Sequence, residues 1–343
     1  MVSAWSRVVG RTAAGRRPPR AVHEHGLDNG RMRVAVWTYG ATLVEVSVPG
    51  AAGGRTNLVV RLPALRHYEE RTGRAYVGST MGRFARILTY GHTEIAGRRH
   101  RLALNEGPHH IHGGPEGFDA RVWDGSAVGG WGHGRIVLSL TSPDGDQGYP
   151  GTLHCTATFE LHSDDRLVVR YEAVTDRPTL CGLTLHAFWN LVGDGRVDDH
   201  LLAVDAAAVV EAGSDFVPTG RLVPSATTAL RTSAHRPLGD TRLDLCVLLG
   251  AEPTAPAAVL RHPASGRTLR LHTDQPGLAL YTGDHLPAPR AGLCLQPGPL
   301  PDAPNQPAFP SALLLPGRTY RHVATYAFSE DDNGAAAVRT RRP

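Results

Sequence analysis

Leu153-His154-Cys155-Thr156-Ala157-Thr158-Phe159-Glu160-Leu161-His162-Ser163-Asp164-Asp165-Arg166-Leu167-Val168-Val169-Arg170-Tyr171 carries the fold of this chain in its spacing. Apolar residues stand at every second position, Leu153, Cys155, Ala157, Phe159 and Leu161, and again at Leu167, Val169 and Tyr171 after the polar break Ser163-Asp164-Asp165. Neighbouring side chains of a strand point to opposite faces, so a period of two marks a strand with one buried face. Two such runs joined by a short polar turn read as an antiparallel hairpin. The period returns at Met32, Val34 and Val36, at Leu269 and Leu271, at Leu278 and Leu280, and at Tyr320, His322, Ala324 and Tyr326. No 3.6-residue pattern persists, so the expected class is all-β with few short helices.

Composition agrees with that reading and narrows the chemistry. The 343 residues can build one large β domain, and 39 glycines, 26 prolines and only 6% aromatic residues suit many short strands joined by tight turns. All 36 basic residues are arginine, which excludes a Schiff-base lysine, a pyridoxal phosphate anchor and a phosphate-loop lysine. Arginines gather in the two ends, without the interleaved aromatics of a single-strand nucleic-acid platform. Residues 1–20 are accordingly expected to be a disordered basic tail, 21–330 a single domain, and 331–343 a flexible tail. Cys155, Cys181, Cys246 and Cys294 form no C-x-x-C pair, which fits reduced core thiols. With no apolar stretch of signal-peptide or membrane-span length, a cytoplasmic protein without membrane or nucleic-acid partners, monomeric or homodimeric, is expected.

Several ordered blocks carry a resemblance. They are Ile111-His112-Gly113-Gly114 with Gly117-Phe118, then Ser142-Pro143-Asp144-Gly145-Asp146-Gln147-Gly148-Tyr149-Pro150-Gly151, then Leu183-Thr184-Leu185-His186-Ala187-Phe188-Trp189-Asn190-Leu191. Val217-Pro218-Thr219-Gly220, Tyr281-Thr282-Gly283 and the stretch Leu295 to Pro310 follow in order. From about Val34 to Phe328 the chain resembles the aldose 1-epimerase (galactose mutarotase) family. The resemblance implies a large antiparallel β-sandwich of the mutarotase type with a sugar cleft, an isomerase activity and no cofactor. In that family a histidine acts as general acid on the ring oxygen while a glutamate deprotonates the anomeric hydroxyl, because the two protons move at atoms too far apart for one side chain. His186 matches the acid, His112 a second histidine that contacts the sugar, and Asp244 a hydroxyl-binding aspartate; Trp189, in the His186 block, is placed with the substrate-binding residues.

Departures from the pattern bear on the reaction. Gln296 stands where the family has its glutamate, and Ala279 where it has a sugar-binding glutamine. In Gly82-Arg83-Phe84-Ala85-Arg86-Ile87-Leu88 an ungapped reading puts Arg86 at the family's asparagine and Ile87 at its sugar-binding arginine. A one-residue deletion would instead keep that arginine as Arg86, but the ungapped reading is preferred because Gly91 keeps its spacing and a slip of one residue would turn every following side chain to the other face. A pocket that has exchanged hydrogen-bonding groups for Ile87 and Ala279 discriminates poorly for hydroxyls, so a less hydroxylated small molecule is the expected substrate. Asp302, Asp244, Glu116 and Asp284 are the carboxylates that could replace the missing base. Two further readings stand beside this one: an ordinary aldose 1-epimerase with a substitute base, and a non-catalytic binding protein. His109, His110 and His112 invite a metal, but adjacent residues of an extended chain point apart, and no metal site is expected.

Overall fold

The computed structural model describes residues 1–14, 17–50, 53–70, 75–213, 216–227, 236–250, 252 and 254–330. Among them strands dominate, paired antiparallel, with one α-helix, Leu65–Glu69, and a few single-turn 3-10 helices. The hairpin forms as its spacing requires: Leu153–His162 and Arg166–Thr175 pair with Leu161 opposite Leu167 across the Ser163-Asp164-Asp165 turn.

Two large sheets provide the layers. In the nine-stranded sheet the central strands are Arg267–Thr273, Tyr320–Glu330, Arg166–Thr175, Leu153–His162 and His133–Ser142. The six-stranded sheet runs in the order Phe188–Trp189, Leu293–Gly298, Gly277–Tyr281, Asp244–Leu249, Ala206–Ala212, Pro218–Pro224. Leu278, Leu280, Leu293 and Leu295 of the smaller sheet share one core with Phe159, Val169, Leu269, Leu271 and Tyr326 of the larger, all with no exposed surface. Each such side chain taken out of water contributes roughly 1.5–3 kcal/mol, which is why the alternation in the sequence and the sandwich are the same fact.

The first residues depart from the expected disordered tail. Ser3–Arg11 is a strand, paired antiparallel with Ala21–Asp28 at the edge of a five-stranded sheet. Its arginines are tied down by partners the sequence does not reveal: Arg7 donates to Glu24 at 2.8 Å, and Glu24 also accepts from Trp37 Nε1 at 2.9 Å. Residues 331–343, expected to be a flexible tail, lie outside the described residues.

What positions the site is the other face of the six-stranded sheet. Leu295, Leu293 and Leu280 point into the sandwich, so Gln296, Cys294, Tyr281 and Ala279 point away from it. On that side lie two smaller apolar clusters, one around Phe84, Leu88 and Tyr149, the other around Trp37, Tyr39 and Phe188.

Candidate active site

Register sets out the floor of the site. Gln296 pairs with Ala279 and Ala279 with Cys246; one step along, Phe188 pairs with Cys294, Cys294 with Tyr281, and Tyr281 with Asp244. Paired residues of an antiparallel ladder share a face and positions two apart keep it, so these seven side chains form two adjoining rows.

His186 and His112 come to this floor from irregular segments. His186 lies between the short strands Thr184–Leu185 and Phe188–Trp189, its backbone bonded to the segment after Tyr76: its N–H donates to Ser79 O and its carbonyl accepts from Gly78, both at 2.9 Å. His112 opens a turn in which three successive residues have positive φ, 54° at His112, 89° at Gly113 and 96° at Gly114. A side chain at Gly113 would place its Cβ 1.7 Å from Gly82 O, so glycine is required there for contact as well as for backbone conformation. The turn aims the His112 ring at the site, with Nδ1 2.9 Å from Ala85 O. The two imidazoles meet edge to face with centroids 5.2 Å apart, and Tyr76 closes on both, 4.8 Å from His112 and 5.8 Å from His186.

His186 is neutral at ordinary pH. Burial brings its pKa down to about 3; its own backbone opposes the fall, and the nearby Arg86 cation adds a smaller push in the same direction as burial. Its Nδ1 lies 3.5 Å from Cys294 Sγ, and burial pushes that thiol up to about 12, so the sulfur stays protonated. A neutral imidazole keeps one donor and one acceptor nitrogen, suited to passing a proton in either direction.

Arg86 decides how Gln296 is turned. Its Nη1 donates to Gln296 Oε1 at 2.9 Å, its Nη2 to the Gln296 carbonyl at 2.6 Å and its Nε to the Pro299 carbonyl at 3.1 Å. A guanidinium has donors and no acceptor, so the amide atom facing it is the oxygen, and the Gln296 NH2 turns the other way, toward Cys294. Position 296 therefore offers a donor to the site and no basic oxygen. Gly298, next on the same face, leaves room for the guanidinium: a Cβ there would come within 3.3 Å of Nη2.

His112, His186, Gln296, Arg86 and Ala279 are thus brought into one region. Ile87 adjoins it, 8% exposed, with its carbonyl accepting from Asp302 N at 2.9 Å, while the guanidinium that reaches position 296 is that of Arg86. Asp244 ends the second row with its side chain open to solvent; surrounding protein bulk nonetheless raises its pKa, His285 opposes the rise and Asp284 adds to it. Trp189 is not at the site. It is fully buried on the core side, its ring 4.9 Å from Tyr326 and 5.6 Å from Phe328, because it follows Phe188 on the strand and takes the opposite face.

The other carboxylates are engaged elsewhere. Asp302 braces its loop, accepting from Thr89 N at 3.0 Å, Thr89 Oγ1 at 2.9 Å and Asn305 at 2.6 Å. Glu116 lies 3.6 Å from Arg17, and Asp284 accepts from Thr282 at 2.5 Å. The three histidines of the first motif also diverge: His109 Nδ1 accepts from Tyr90 N at 3.1 Å, and His110 bonds the Ala103 carbonyl at 2.6 Å and the Tyr149 hydroxyl at 2.7 Å. A surface hollow of about 560 Å³ is an open depression over the nine-stranded sheet lined by His154, Glu172 and Arg321, and it contains none of these residues.

Three participants were missed in the sequence. Cys294 was legible, standing two residues before Gln296 on an alternating strand, and so was Phe188, two after His186 and 5.1 Å from its ring. Tyr76 had no local signal, because an irregular segment brings it in.

Comparison with known proteins follows the same lines. The aldose 1-epimerase family model matches residues 24–327. The chain is 31% identical to a galactose mutarotase of Sus scrofa, over 96% of this chain and 99% of that one. It is 28% identical to an aldose 1-epimerase of Escherichia coli, over 88% and 93% of the two chains. Among solved structures, a galactose 1-epimerase from Lactobacillus acidophilus superposes with a TM-score of 0.83 at 27% identity, covering 96% of this chain and 99% of that one.

Proposed function

Because the chain belongs to the aldose 1-epimerase family and is an isomerase of that type, we propose that it acts on a less hydroxylated small molecule than a free hexose, through His186 and without a carboxylate base at position 296. The observation that carries this reading is the Arg86 to Gln296 bond of 2.9 Å, beside two imidazoles 5.2 Å apart. Opening or closing a cyclic hemiacetal needs one proton added and another removed. His186 is the group for proton transfer, His112 holds the oxygen that receives or releases the proton, and Gln296 orients the substrate by donating to one of its oxygens. Ala279 beside Gln296 supplies no hydrogen bond, which favours a substrate with hydrocarbon where a hexose has a hydroxyl.

Losing a positioned base costs about 10²- to 10⁴-fold, enough to bring mutarotation of a free sugar close to its rate in water. Polarimetry on freshly dissolved α-glucose and α-galactose is expected to follow the buffer blank. On the true substrate, His186→Ala lowers kcat by about 10²- to 10⁴-fold; unchanged turnover removes His186 from the mechanism.

A second reading has its own support. Asp244 is the one carboxylate in the two rows, and its raised pKa makes it a stronger base than an ordinary aspartate. It lies two strands from Cys294, about 10 Å by the usual strand spacing, so it would reach the anomeric hydroxyl only of a sugar lying across the floor. α-Galactose that mutarotates well above the blank would establish this reading in place of the first.

A further inference from the structure

Arg86 carries a full charge that nothing nearby neutralises. The residue is 4% exposed, and its guanidinium bonds neutral acceptors: the Gln296 side-chain oxygen, the carbonyls of Gln296, Pro299 and Ala85, and the Cys246 thiol. Among the described residues no carboxylate pairs with it, and the groups that favour its charge are the Cys246 and Cys294 thiols and the Tyr320 hydroxyl, each held neutral by burial. An uncompensated charge inside a protein is costly, and the cost falls when an opposite charge is brought to it.

Gln296 extends that field into the site. With its oxygen held by the guanidinium, the amide is polarised and its NH2 faces Cys294, whose sulfur lies 3.5 Å from His186 Nδ1. An N–H whose own oxygen accepts from a cation is a strengthened donor. The protonated Cys294 thiol and the neutral His186 ring add no negative charge there. Where the family carries a base, this chain presents a donor backed by a cation.

We propose that the site takes a ligand bearing an anionic oxygen, a carboxylate, against the Gln296 NH2. This rests on reading the floor around His186 as the substrate site and names the substrate class: a small cyclic hemiacetal or carbonyl compound that is also an acid. The acid group lies over Gln296, within the field of Arg86, and Asp244 at the far end of the floor faces the part of the ligand away from its charge.

The test uses two ligands of one shape, tetrahydropyran-2-carboxylate and the neutral tetrahydropyran-2-methanol, titrated into the intact protein by calorimetry. The carboxylate is expected to bind at least about 10-fold more tightly than the alcohol, a preference of about 1.4 kcal/mol. Gln296→Glu, nearly isosteric, places a carboxylate against Arg86 and is expected to abolish the preference. Gln296→Leu removes the donor and keeps the cation, and is expected to reduce the preference only in part; thermal unfolding of each variant verifies the fold. Equal binding of acid and alcohol, or a preference that survives Gln296→Glu, overturns the proposal. Neither result touches the role of His186, which stands or falls by the His186→Ala turnover; conversely, a carboxylate preference with unchanged turnover in His186→Ala keeps the ligand class and removes the mechanism.

Discussion

Arg83 and Arg86 stand three residues apart, both buried, yet they belong to regions of opposite character. Arg83, 1% exposed, spends its guanidinium on the Ser142 hydroxyl and on the carbonyls of Ser142, Pro143, Pro150 and Gly151, at 2.8 to 3.0 Å. Asp146 supplies the counter-charge, accepting from the same Ser142 hydroxyl at 2.7 Å and from Arg121 at 2.9 Å. Each region also holds a buried neutral histidine. In the first it is His110, whose two nitrogens are committed to Ala103 and Tyr149; in the second it is His186, which faces His112 and Tyr76. The first region has a carboxylate among its cations and its donors spent, and it braces the Ser142–Gly151 loop. The second leaves a charge unmatched, which is the mark of a site that awaits a ligand.

Removing the two guanidiniums separates these regions most widely. Arg83→Met strands five acceptors, and is expected to lower unfolding free energy by about 3–5 kcal/mol. Arg86→Met also takes away a desolvated charge without a partner, so its cost stays below about 2 kcal/mol in the same urea titration. Equal losses would erase the distinction.

Acid acts on both histidines with the same sign. Each is held below its ordinary pKa by burial, to about 4 for His110 and about 3 for His186, so the unfolded chain takes up protons that the folded chain refuses. Stability is full above about pH 6.5 and is lost as pH falls toward these values, by roughly 3 kcal/mol for His110. Urea midpoints measured between pH 7 and 4 record the loss, and His110→Gln flattens the slope. The smallest expected effect is at Gly298. Gly298→Ala brings a methyl against Arg86 Nη2 at 3.3 Å and is expected to cost about 1 kcal/mol, with the carboxylate preference falling alongside it.

How much of the site was legible follows from how each residue is carried. His186, His112 and Gln296 stand in blocks whose order along the chain identifies them. Cys294 could have been added by counting two residues back from Gln296. Trp189 was misplaced because a matched block does not say which face each of its letters takes: Phe188 turns to the His186 ring, and Trp189 turns to Tyr326. Ser3–Arg11 was misjudged for a similar reason. A segment with scattered arginines looks like a tail until the next strand is placed beside it, with Glu24 accepting from Arg7.

The sequence by itself determined antiparallel strands, since a period of two allows one buried face and the hairpin register follows from it; the sandwich was what its resemblance to the family implied. It also determined, set against the family pattern, that position 296 is a glutamine, since that is a single letter. Only the tertiary structure decided how that glutamine is turned. The orientation of an amide depends on what it touches, and Arg86, some two hundred residues earlier in the chain, holds the Gln296 oxygen and turns its NH2 toward the site. Electrostatics inside a protein depends on distance and burial, and neither is written in the order of the residues.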